Sequence, residues 1–442
     1  PVFGGKVKSF DAAKVSGMKG VRRVLQVGDS AVAVVADTWW QAKTALDALP
    51  IVWDEGPNAG ATQAQSLALL REGLDAPQAG VGNSAGDVKA ALASAARVIE
   101  ATYQHTHQNH ATMETMNATA KVTLSAAGAP ERCEVWTRTQ NGEAALAGAA
   151  EASGLQPAQC EVYKLHLGGG FGRRGAVHDW VRQSVIIARQ MPGVPVKLIW
   201  SREEDMLHGR FHPLTMARLR AGVDAQGKVT ALHMRLSGQS ILASVAPQNI
   251  RDGIDPVAFQ GLNRPGPEAS FGYTVPNLLI DHAIRNPPVP AGFWRGVNLN
   301  QNAFYVECFL DEVAHALKKD PLQLRLELMG QFPKHKAVLE AAAKGAGWGT
   351  PAPAGVHRGL AQTMGFGSYV AACAEVSVQG GELKIHRIVA ATDCGHAVNP
   401  KQIAMQVEGS FAYGLSTLWS ESTLDKGRMQ QANFDTYPVM RM

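Results

Sequence analysis

The sequence has few cysteines, and none of them form a metal-binding pattern. No two of the five form the C-x-x-C pair that zinc and iron–sulfur sites commonly use. They are Cys133, Cys160, Cys308, Cys373 and Cys394. We therefore predict scattered thiols, with neither a zinc site nor an iron–sulfur cluster on this chain.

Charge of one sign and long hydrophobic runs are also scarce. The net charge of +4 is small for 442 residues, and no run rich in lysine or arginine occurs, so we expect no nucleic-acid partner. No apolar stretch reaches the roughly 18 residues that a membrane-spanning helix needs. The sequence begins at Pro1 without a basic leader or a signal-type segment, and we interpret this as a processed start or a fragment.

Apolar residues and glycine, by contrast, are abundant. Hydrophobic residues make up 45% of the chain and charged residues 18%, which is the composition of a globular protein with large cores. The length suffices for about two or three domains. The 45 glycines predict many tight turns and close backbone contacts.

Hydrophobic patterns typical of strands and of helices follow one another, which predicts mixed α/β layers. Strands are predicted within 21–36 around a Gly-Asp turn, and at 51–56, 132–137, 160–167, 194–200, 372–378 and 383–392. Helices are predicted at 39–48, 141–153, 177–190, 301–317 and about 401–416. Residues 56–61 and 330–356 are rich in turn-forming residues and are predicted to be connections.

The most distinctive local motif is Gly-Gly-Gly-Phe-Gly-Arg-Arg-Gly at residues 168–175. Gly170, Gly172 and Gly175 fit the G-x-G-x-x-G pattern of dinucleotide-binding enzymes, between a predicted strand and a predicted helix. Glycines let backbone N–H groups approach a phosphate, and the two arginines of the motif also suit an anion. A dinucleotide-dependent dehydrogenase is therefore one hypothesis, and a purely structural glycine-rich turn is another.

Three features weigh against the dinucleotide hypothesis. The motif follows a long α/β region, whereas the dinucleotide motif usually occupies the first strand–helix turn. The next acidic residues, Glu203 and Glu204, follow a serine-arginine pair rather than the end of a predicted strand. Three consecutive glycines also exceed what the pattern requires.

Five blocks occur in the same order as in the xanthine oxidase/aldehyde oxidase family, which they resemble. They are Thr139-Gln140, GGGFG at 168–172, PVKLIWSREEDM at 195–206, FWRG at 293–296 with ECFLDEVA at 307–314, and DCGHAVNP at 393–400 with QVEGSFAYGLS at 406–416. The variant GGGFGRRG, with HATMETMNATA at 110–120 and RGVNLNQNAFYVECFLDEVAHA at 295–316, resembles the isoquinoline 1-oxidoreductase beta-subunit branch. Five blocks in the same order are a more specific sign of the family than any single block.

The resemblance implies an α/β architecture of three units. Residues 1–60 would be part of a small hammerhead-like domain. Residues 61–330 would form a first molybdopterin-binding domain, and residues 331–442 a second one that is incomplete at its C-terminal end.

The resemblance also implies an activity, since family members hydroxylate a carbon next to a ring nitrogen or an aldehyde carbon, with water as the oxygen source. We expect an isoquinoline-like N-heterocycle or an aldehyde as the small-molecule substrate. The implied cofactor is molybdopterin with molybdenum, in its cytosine dinucleotide form, and its dithiolene rather than the protein holds the metal. Electrons would pass to [2Fe–2S] clusters on a small partner subunit, with a cytochrome c as a candidate acceptor beyond it.

Individual residues match the family's cofactor and substrate positions. The implied cofactor contacts are Gln140, Gly169, Gly170, Phe171, Gly172, Arg295, Gly296 and Gln406. Trp294 and Val297 would border the substrate space. Purine hydroxylases have a glutamate where this chain has Gly175 and a phenylalanine where it has Val297, so xanthine is a disfavoured substrate.

Structural explanations stay open for several of these residues. Gln140 could cap the following helix, Arg295 could be a surface ion-pair partner, and Trp294 could be a core residue. A metal site at His105, His107 and His110 is disfavoured because the segment matches a structural block of the family. The helical spacing of Glu307, Asp311 and Glu312 indicates a solvated or salt-bridged face.

Two motifs of the family have no counterpart in this sequence. The family's general base is a glutamate in a late G-x-G-E segment, and its M-G-Q-G-x-x-T cofactor loop is only echoed at 364–367. We therefore expect no catalytic residue on this chain, further segments of the same large subunit as partners, and no activity for the isolated chain. A periplasmic or membrane-associated location is implied by the resemblance alone, and a non-catalytic scaffold is a third hypothesis.

Overall fold

The computed structural model describes residues 1–263 and 270–441. Within these ranges the helices are α1 (Ala13–Ser16), α2 (Trp39–Ala48), α3 (Gln63–Leu74), α4 (Val88–Ala93), α5 (Gly142–Ser153), α6 (Asp179–Arg189), α7 (Arg202–His208), α8 (Ile241–Val245), α9 (Leu299–Leu317), α10 (Pro321–Leu328), α11 (Pro333–Ala346) and α12 (Pro400–Leu415). The strands are β1 (Lys6–Phe10), β2 (Val21–Val27), β3 (Ala31–Ala36), β4 (Ile51–Asp54), β5 (Gly80–Ala85), β6 (Arg97–His105), β7 (Gln108–Asn109), β8 (Asn117–Leu124), β9 (Pro130–Arg138), β10 (Cys160–Leu165), β11 (Val196–Ile199), β12 (Phe211–His212), β13 (Thr215–Val223), β14 (Val229–Gly238), β15 (Asn277–Ile284), β16 (His357–Gly365), β17 (Ser368–Gln379), β18 (Glu382–Asp393), β19 (Leu424–Asp425) and β20 (Arg428–Met429).

Three larger sheets organise these elements, and together with the helices they confirm the predicted mixed α/β class. The strand orders are β10-β9-β8-β11, β5-β15-β14-β13-β6 and β16-β17-β18. Most neighbours are antiparallel, whereas β9 with β10 and β14 with β15 are parallel. Among the described residues, no helix combines the length and apolar character needed to cross a membrane.

The first 60 residues form a small α/β unit whose elements follow the predicted pattern. Helix α2 begins where Thr38 accepts a hydrogen bond from the Gln41 amide and Gln41 bonds back to Thr38, a reciprocal cap. Strands β2 and β3 bury Leu25 and Val27 against Ile187 of α6. This contact fixes the small unit on the four-stranded sheet.

The four-stranded sheet and helices α5 and α6 form the layer that carries the glycine motif. Along β9 the burial alternates, with Cys133 and Val135 pointing into the core. These side chains pack with Trp180 and Val181 of α6. Because β10 leads directly into residues 168–175, the position of the motif follows from this packing.

The largest core joins the five-stranded sheet, helices α9 to α11 and the three-stranded sheet. It includes Leu219 of β13, Phe309 of α9, Leu339 of α11 and Cys373 of β17. Side chains from both sides of residue 330 therefore share one core. The division of the chain at 330/331 stays a prediction.

Residues 330–356 are not the simple connection that their composition suggests. They contain α11, in which Val338, Leu339 and Ala342 are buried at helical spacing. Pro333 stands at the start of the helix, and Gly347 ends it with a φ of +70°. The prediction was wrong here because Lys, Gly and Pro in this stretch mark the exposed face and the two ends of a helix.

Candidate functional site

The glycine motif at 168–175 forms a loop between β10 and α6 with left-handed backbone at three positions. The φ angles are +95° at Gly169, +50° at Phe171 and +100° at Gly172. Among the described residues, no protein acceptor receives a hydrogen bond from the amides of Gly169, Gly170 or Phe171. The loop therefore presents three neighbouring backbone donors that the protein itself leaves free.

Gln140 holds this loop from the side. Its Oε1 accepts hydrogen bonds from the amides of Gly172 (3.0 Å) and Arg174 (3.3 Å). Its Nε2 must then face away from these donors, and it has no partner among the residues that the structure describes. The cap of α5 is Asn141, which accepts from the Ala144 amide at 3.2 Å, so the interpretation of Gln140 as the cap is wrong.

Both arginines of the motif lie beneath the loop. The fully buried Arg174 donates to the carbonyl oxygens of Gly169 (3.0 Å) and Glu114 (2.7 Å). Arg173 donates to both carboxylate oxygens of Asp179, each at 2.9 Å. Protein acceptors take up both guanidinium groups, and that of Arg174 supports the loop through Gly169, so the expectation that they would suit an anionic ligand is wrong.

The N-terminus of α6 is also taken by the protein. Asp179 stands in its first turn and accepts a hydrogen bond from the Trp180 amide at 3.0 Å. In a dinucleotide-binding motif this end of the helix would face the phosphate. A carboxylate in that place repels a phosphate, which weighs against the dinucleotide hypothesis for Gly170, Gly172 and Gly175.

The segment around residues 293–297 lies directly against the glycine loop. A Cβ atom on Gly172 would be 1.8 Å from the carbonyl oxygen of Phe293, so only glycine permits this approach. Gly296 and Val297 have φ angles of +89° and +53°. Asn300 holds this turn by donating to the Val297 carbonyl oxygen at 2.9 Å.

Arg295 extends from this turn to helix α12. It donates to the carbonyl oxygen of Gln406 (3.0 Å), to Gln406 Oε1 (3.2 Å) and to the Gly409 carbonyl oxygen (3.3 Å). No salt bridge to Arg295 occurs in the described parts of the chain, so the surface ion-pair interpretation is wrong. Its positive charge is left without a protein counter-charge at the edge of the site.

Trp294 is 4% exposed, as expected of a core residue. Its indole N–H donates to the Asn109 carbonyl oxygen at 3.0 Å, and its ring meets His212 edge-on at 5.6 Å. The role of Trp294 and Val297 beside a substrate stays a prediction.

Three stacked rings connect the parts of the site. Phe171 stacks on Tyr413 with 4.3 Å between ring centroids, and Tyr413 stacks on Trp294 with 4.5 Å. The Tyr413 hydroxyl donates to the His110 carbonyl oxygen at 2.9 Å. We did not predict Tyr413 from the sequence, although it follows Gln406 by seven residues and so lies on the same side of α12.

His110 joins two segments next to the site through its buried ring. The two ring nitrogens of His110 lie 2.9 Å from the carbonyl oxygens of Arg210 and Phe293. Burial lowers the pKa of His110 to about 3, so the ring is neutral and donates to one of the two. Within residues 1–263 and 270–441, no three His, Cys, Asp or Glu side chains are placed to hold a metal ion.

The acidic face predicted on α9 is salt-bridged but not uniformly solvated. Glu307 is 4% exposed, accepts from the Tyr273 hydroxyl at 2.6 Å and pairs with Arg325 at 2.8 Å. Burial raises the pKa of the Glu307 carboxyl. Arg325 also pairs with Asp311 at 2.7 Å, so the spacing of these acids serves an internal ion-pair network.

Replacing Gly172 by alanine is expected to destabilise the chain by about 2 kcal/mol. The added Cβ meets the Phe293 carbonyl oxygen, and the φ of +100° is unfavourable for alanine. Urea denaturation measures the loss. Gly175→Ala is the matched control, because its Cβ would approach only the Gly172 carbonyl oxygen, at 3.3 Å. Equal stability of the two variants would contradict the expectation.

Comparison with protein families gives two matches that together span most of the chain. Models described as molybdopterin cofactor-binding domains match residues 75–329 and 310–442. A similar relative is the isoquinoline 1-oxidoreductase subunit beta of Brevundimonas diminuta, 28% identical over all of this chain and 57% of the relative. Another is the membrane-bound aldehyde dehydrogenase [pyrroloquinoline-quinone] of Gluconacetobacter polyoxogenes, 28% identical over all of this chain and 60% of the relative.

Among solved structures, the fold is similar to quinoline 2-oxidoreductase from Pseudomonas putida 86. The TM-score is 0.76, with 14% identity over all of this chain and 85% of that chain. At this identity the likeness concerns the fold alone. The chain spans less than two thirds of the length of the two curated relatives.

Proposed function

Since this chain belongs to the molybdopterin cofactor-binding domain family, we propose that it forms part of the large subunit of a molybdenum hydroxylase. The resemblance to the isoquinoline 1-oxidoreductase beta-subunit branch is confirmed by the match over the whole chain. The proposed reaction is oxidation of an N-heterocyclic aromatic compound or an aldehyde, with oxygen from water.

The observation that carries this proposal is the convergence of unused donors at one place. The free amides of Gly169, Gly170 and Phe171 stand in the loop that Gln140 holds through the amides of Gly172 and Arg174. Arg295, which has no counter-charge among the described residues, contacts α12 next to Tyr413, whose ring stacks on Phe171. Such a set suits a large, oxygen-rich and anionic group, as molybdopterin is.

Each residue would have a distinct task toward that group. The amides of Gly169 to Phe171 and the Gln140 amide would donate hydrogen bonds to its oxygens. Arg295, held by Gln406, would place a positive charge beside it. When bound, molybdopterin supplies a molybdenum centre that accepts two electrons from the substrate, while the protein orients the group and the substrate.

The finer parts of the proposal draw on the relatives. The names of the Brevundimonas and Pseudomonas proteins refer to isoquinoline and quinoline, which supports a planar N-heterocycle beside Trp294 and Val297. The name of the Gluconacetobacter protein supports an aldehyde as the other class. We further propose the cytosine dinucleotide form of the cofactor, a small [2Fe–2S] partner subunit with cytochrome c beyond it, and a periplasmic or membrane-associated location.

Further segments of the large subunit are proposed as partners. The relatives are longer than this chain, which spans 57% and 60% of them. Helix α12 has no buried residue, and Met405 on it is 68% exposed. An exposed helix carrying Gln406 supports completion of the site by additional protein.

Metal and pterin analysis of the purified chain, alone and together with its neighbouring segments and subunits, tests the proposal. We expect molybdenum and a dithiolene pterin at about one each per complex. Their absence from the complete complex sinks the proposal. Pyrroloquinoline quinone in their place would support the chemistry named for the Gluconacetobacter relative, and a nicotinamide or flavin would support the dinucleotide hypothesis.

Replacing Gln140 by glutamate sharpens this test. The carboxylate can still accept from the Gly172 and Arg174 amides, so the loop is expected to stay folded. The Gln140→Glu side chain lacks the free N–H donors and adds a negative charge, so we expect the molybdenum content to fall by about tenfold. Gln226→Glu, in an exposed turn, is the control and should retain the full content. Equal molybdenum in both variants would contradict the role of Gln140.

A further inference from the structure

We propose that Tyr413 is a positioning residue that sets the geometry of the glycine loop from helix α12. The proposal rests on the proposed function only in that the loop is taken to receive a cofactor. Among the described residues, no hydrogen bond joins Tyr413 to the free amides or to Gln140. Its ring lies between those of Phe171 and Trp294, and it is the one aromatic ring in the described residues that stacks on both.

The conformation of Phe171 shows why the loop needs such a contact. Its φ of +50° lies in the left-handed region, which a phenylalanine adopts only when its surroundings hold it there. Flanking glycines make the loop easy to deform. The Tyr413 ring is nearly parallel to that of Phe171, at 22° between planes, and such stacking stabilises a pair beyond area burial alone. The stack therefore fixes the residue that bears one of the three free amides.

Tyr413 is itself anchored on two further sides. Its second face stacks on Trp294 at 24° between planes. Its hydroxyl donates to the carbonyl oxygen of His110, whose ring contacts the Phe293 carbonyl oxygen. Burial raises the pKa of Tyr413 well above its ordinary value, so the hydroxyl stays a donor at any physiological pH.

Helix α12 has few other attachments to the site. Each of its residues keeps some exposed surface, Tyr413 is its link to the aromatic stack, and Arg295 with Gln406 provides the second link. A displacement of α12 would therefore move Phe171 through Tyr413, and Gln406 with Arg295 in the same step. We infer that the position of this helix determines where the free loop amides lie relative to the Arg295 guanidinium.

Two substitutions separate stacking from the hydroxyl bond. Tyr413→Phe keeps the three-ring stack and loses only the bond to His110. Tyr413→Leu keeps an apolar side chain but removes both stacking contacts. Phe411→Leu, a partly exposed residue on the same helix, is the matched control for an aromatic ring lost from α12.

Hydrogen–deuterium exchange of the full chain measures the protection of the loop amides directly. The amides of Gly172 to Gly175 are protected by acceptors within the loop and on Gln140. We expect exchange at these amides to be about tenfold faster in Tyr413→Leu. It should change less than about twofold in Tyr413→Phe and Phe411→Leu, with similar denaturation midpoints for all three variants.

Equal loop exchange in Tyr413→Leu and Phe411→Leu would overturn the proposal. If Tyr413→Leu does not fold, Phe171→Leu removes the other half of the same stack from the exposed loop and must give the same local acceleration. In the complete complex, Tyr413→Leu should lower kcat, whereas Phe411→Leu should leave it unchanged. If the wild-type complex holds no molybdenum, the proposed function fails while the exchange result still decides the role of Tyr413.

Discussion

Replacing Arg325 by methionine is expected to lower the free energy of unfolding by about 3–5 kcal/mol. The guanidinium is fully buried and pairs with Glu307 (2.8 Å) and Asp311 (2.7 Å). Without it, the Glu307 carboxylate stays in the core, where Tyr273 and Gln362 are its remaining hydrogen-bond partners within the described parts of the chain. Chemical denaturation at pH 7 measures the difference.

Two further variants test the reason for this loss. Glu307→Gln combined with Arg325→Met should be more stable than Arg325→Met alone, because the buried charge is then gone while the bond from Tyr273 can remain. Arg22→Met breaks an exposed ion pair with Asp37 and should cost less than about 1 kcal/mol. If Arg325→Met loses no more than Arg22→Met, the network contributes nothing to stability.

Acidification from pH 7 to pH 5 is expected to lower the free energy of unfolding by several kcal/mol. Burial lowers the pKa of six histidines among the described residues: to about 4 for His107, His178, His212 and His282, to about 3 for His110, and well below the ordinary value for His105. In the unfolded chain each titrates near 6.5, so protons bind the unfolded state first as the pH falls. The contribution of each histidine is complete above about pH 6.5, and about 2 kcal/mol of it is lost at pH 5.

Urea denaturation at closely spaced pH values measures this dependence. His282→Gln should reduce the slope of stability against pH by about one proton between pH 6 and 5, whereas His166→Gln, at an exposed position, should leave it unchanged. Asp205 and Glu307 work in the opposite direction, since burial raises the pKa of Asp205 to about 6 and also raises that of Glu307, but they are two groups against six. A stability that stays flat down to pH 5 would refute the prediction.

The elements that the sequence predicts well are those whose burial pattern is local. Helix α2 occupies the predicted 39–48 because its cap, Thr38, and its periodicity lie within the segment. The β2–β3 hairpin likewise follows from alternation around a Gly-Asp turn. Strand β16 escapes prediction because its apolar residues pack partly on α9, which is distant in sequence, whereas α11 was missed although its end signals and helical spacing are local.

In the candidate site, too, residues in local motifs were predicted and contacts between distant segments were not. The glycines, Gln140 and Arg295 were identified because they stand in ordered blocks, and the structure brings those blocks together through Gln140 with Gly172 and Arg295 with Gln406. Contacts between blocks could not be predicted. That Tyr413 stacks on Phe171 depends on the placement of α12, for which no local pattern exists.

The core that crosses residue 330 has a consequence for how such subunits can be divided. Gln362 Nε2 on β16 donates to the Glu307 carboxylate on α9 at 3.5 Å, and Gln362 Oε1 accepts a hydrogen bond from His335 Nδ1 on α11 at 2.6 Å. Cutting the chain near residue 330 would expose apolar core residues on both fragments. It would also leave buried polar groups on each fragment without their hydrogen-bond partners on the other. The two matched cofactor-binding domains meet within residues 310–329, so we expect that neither folds without the other.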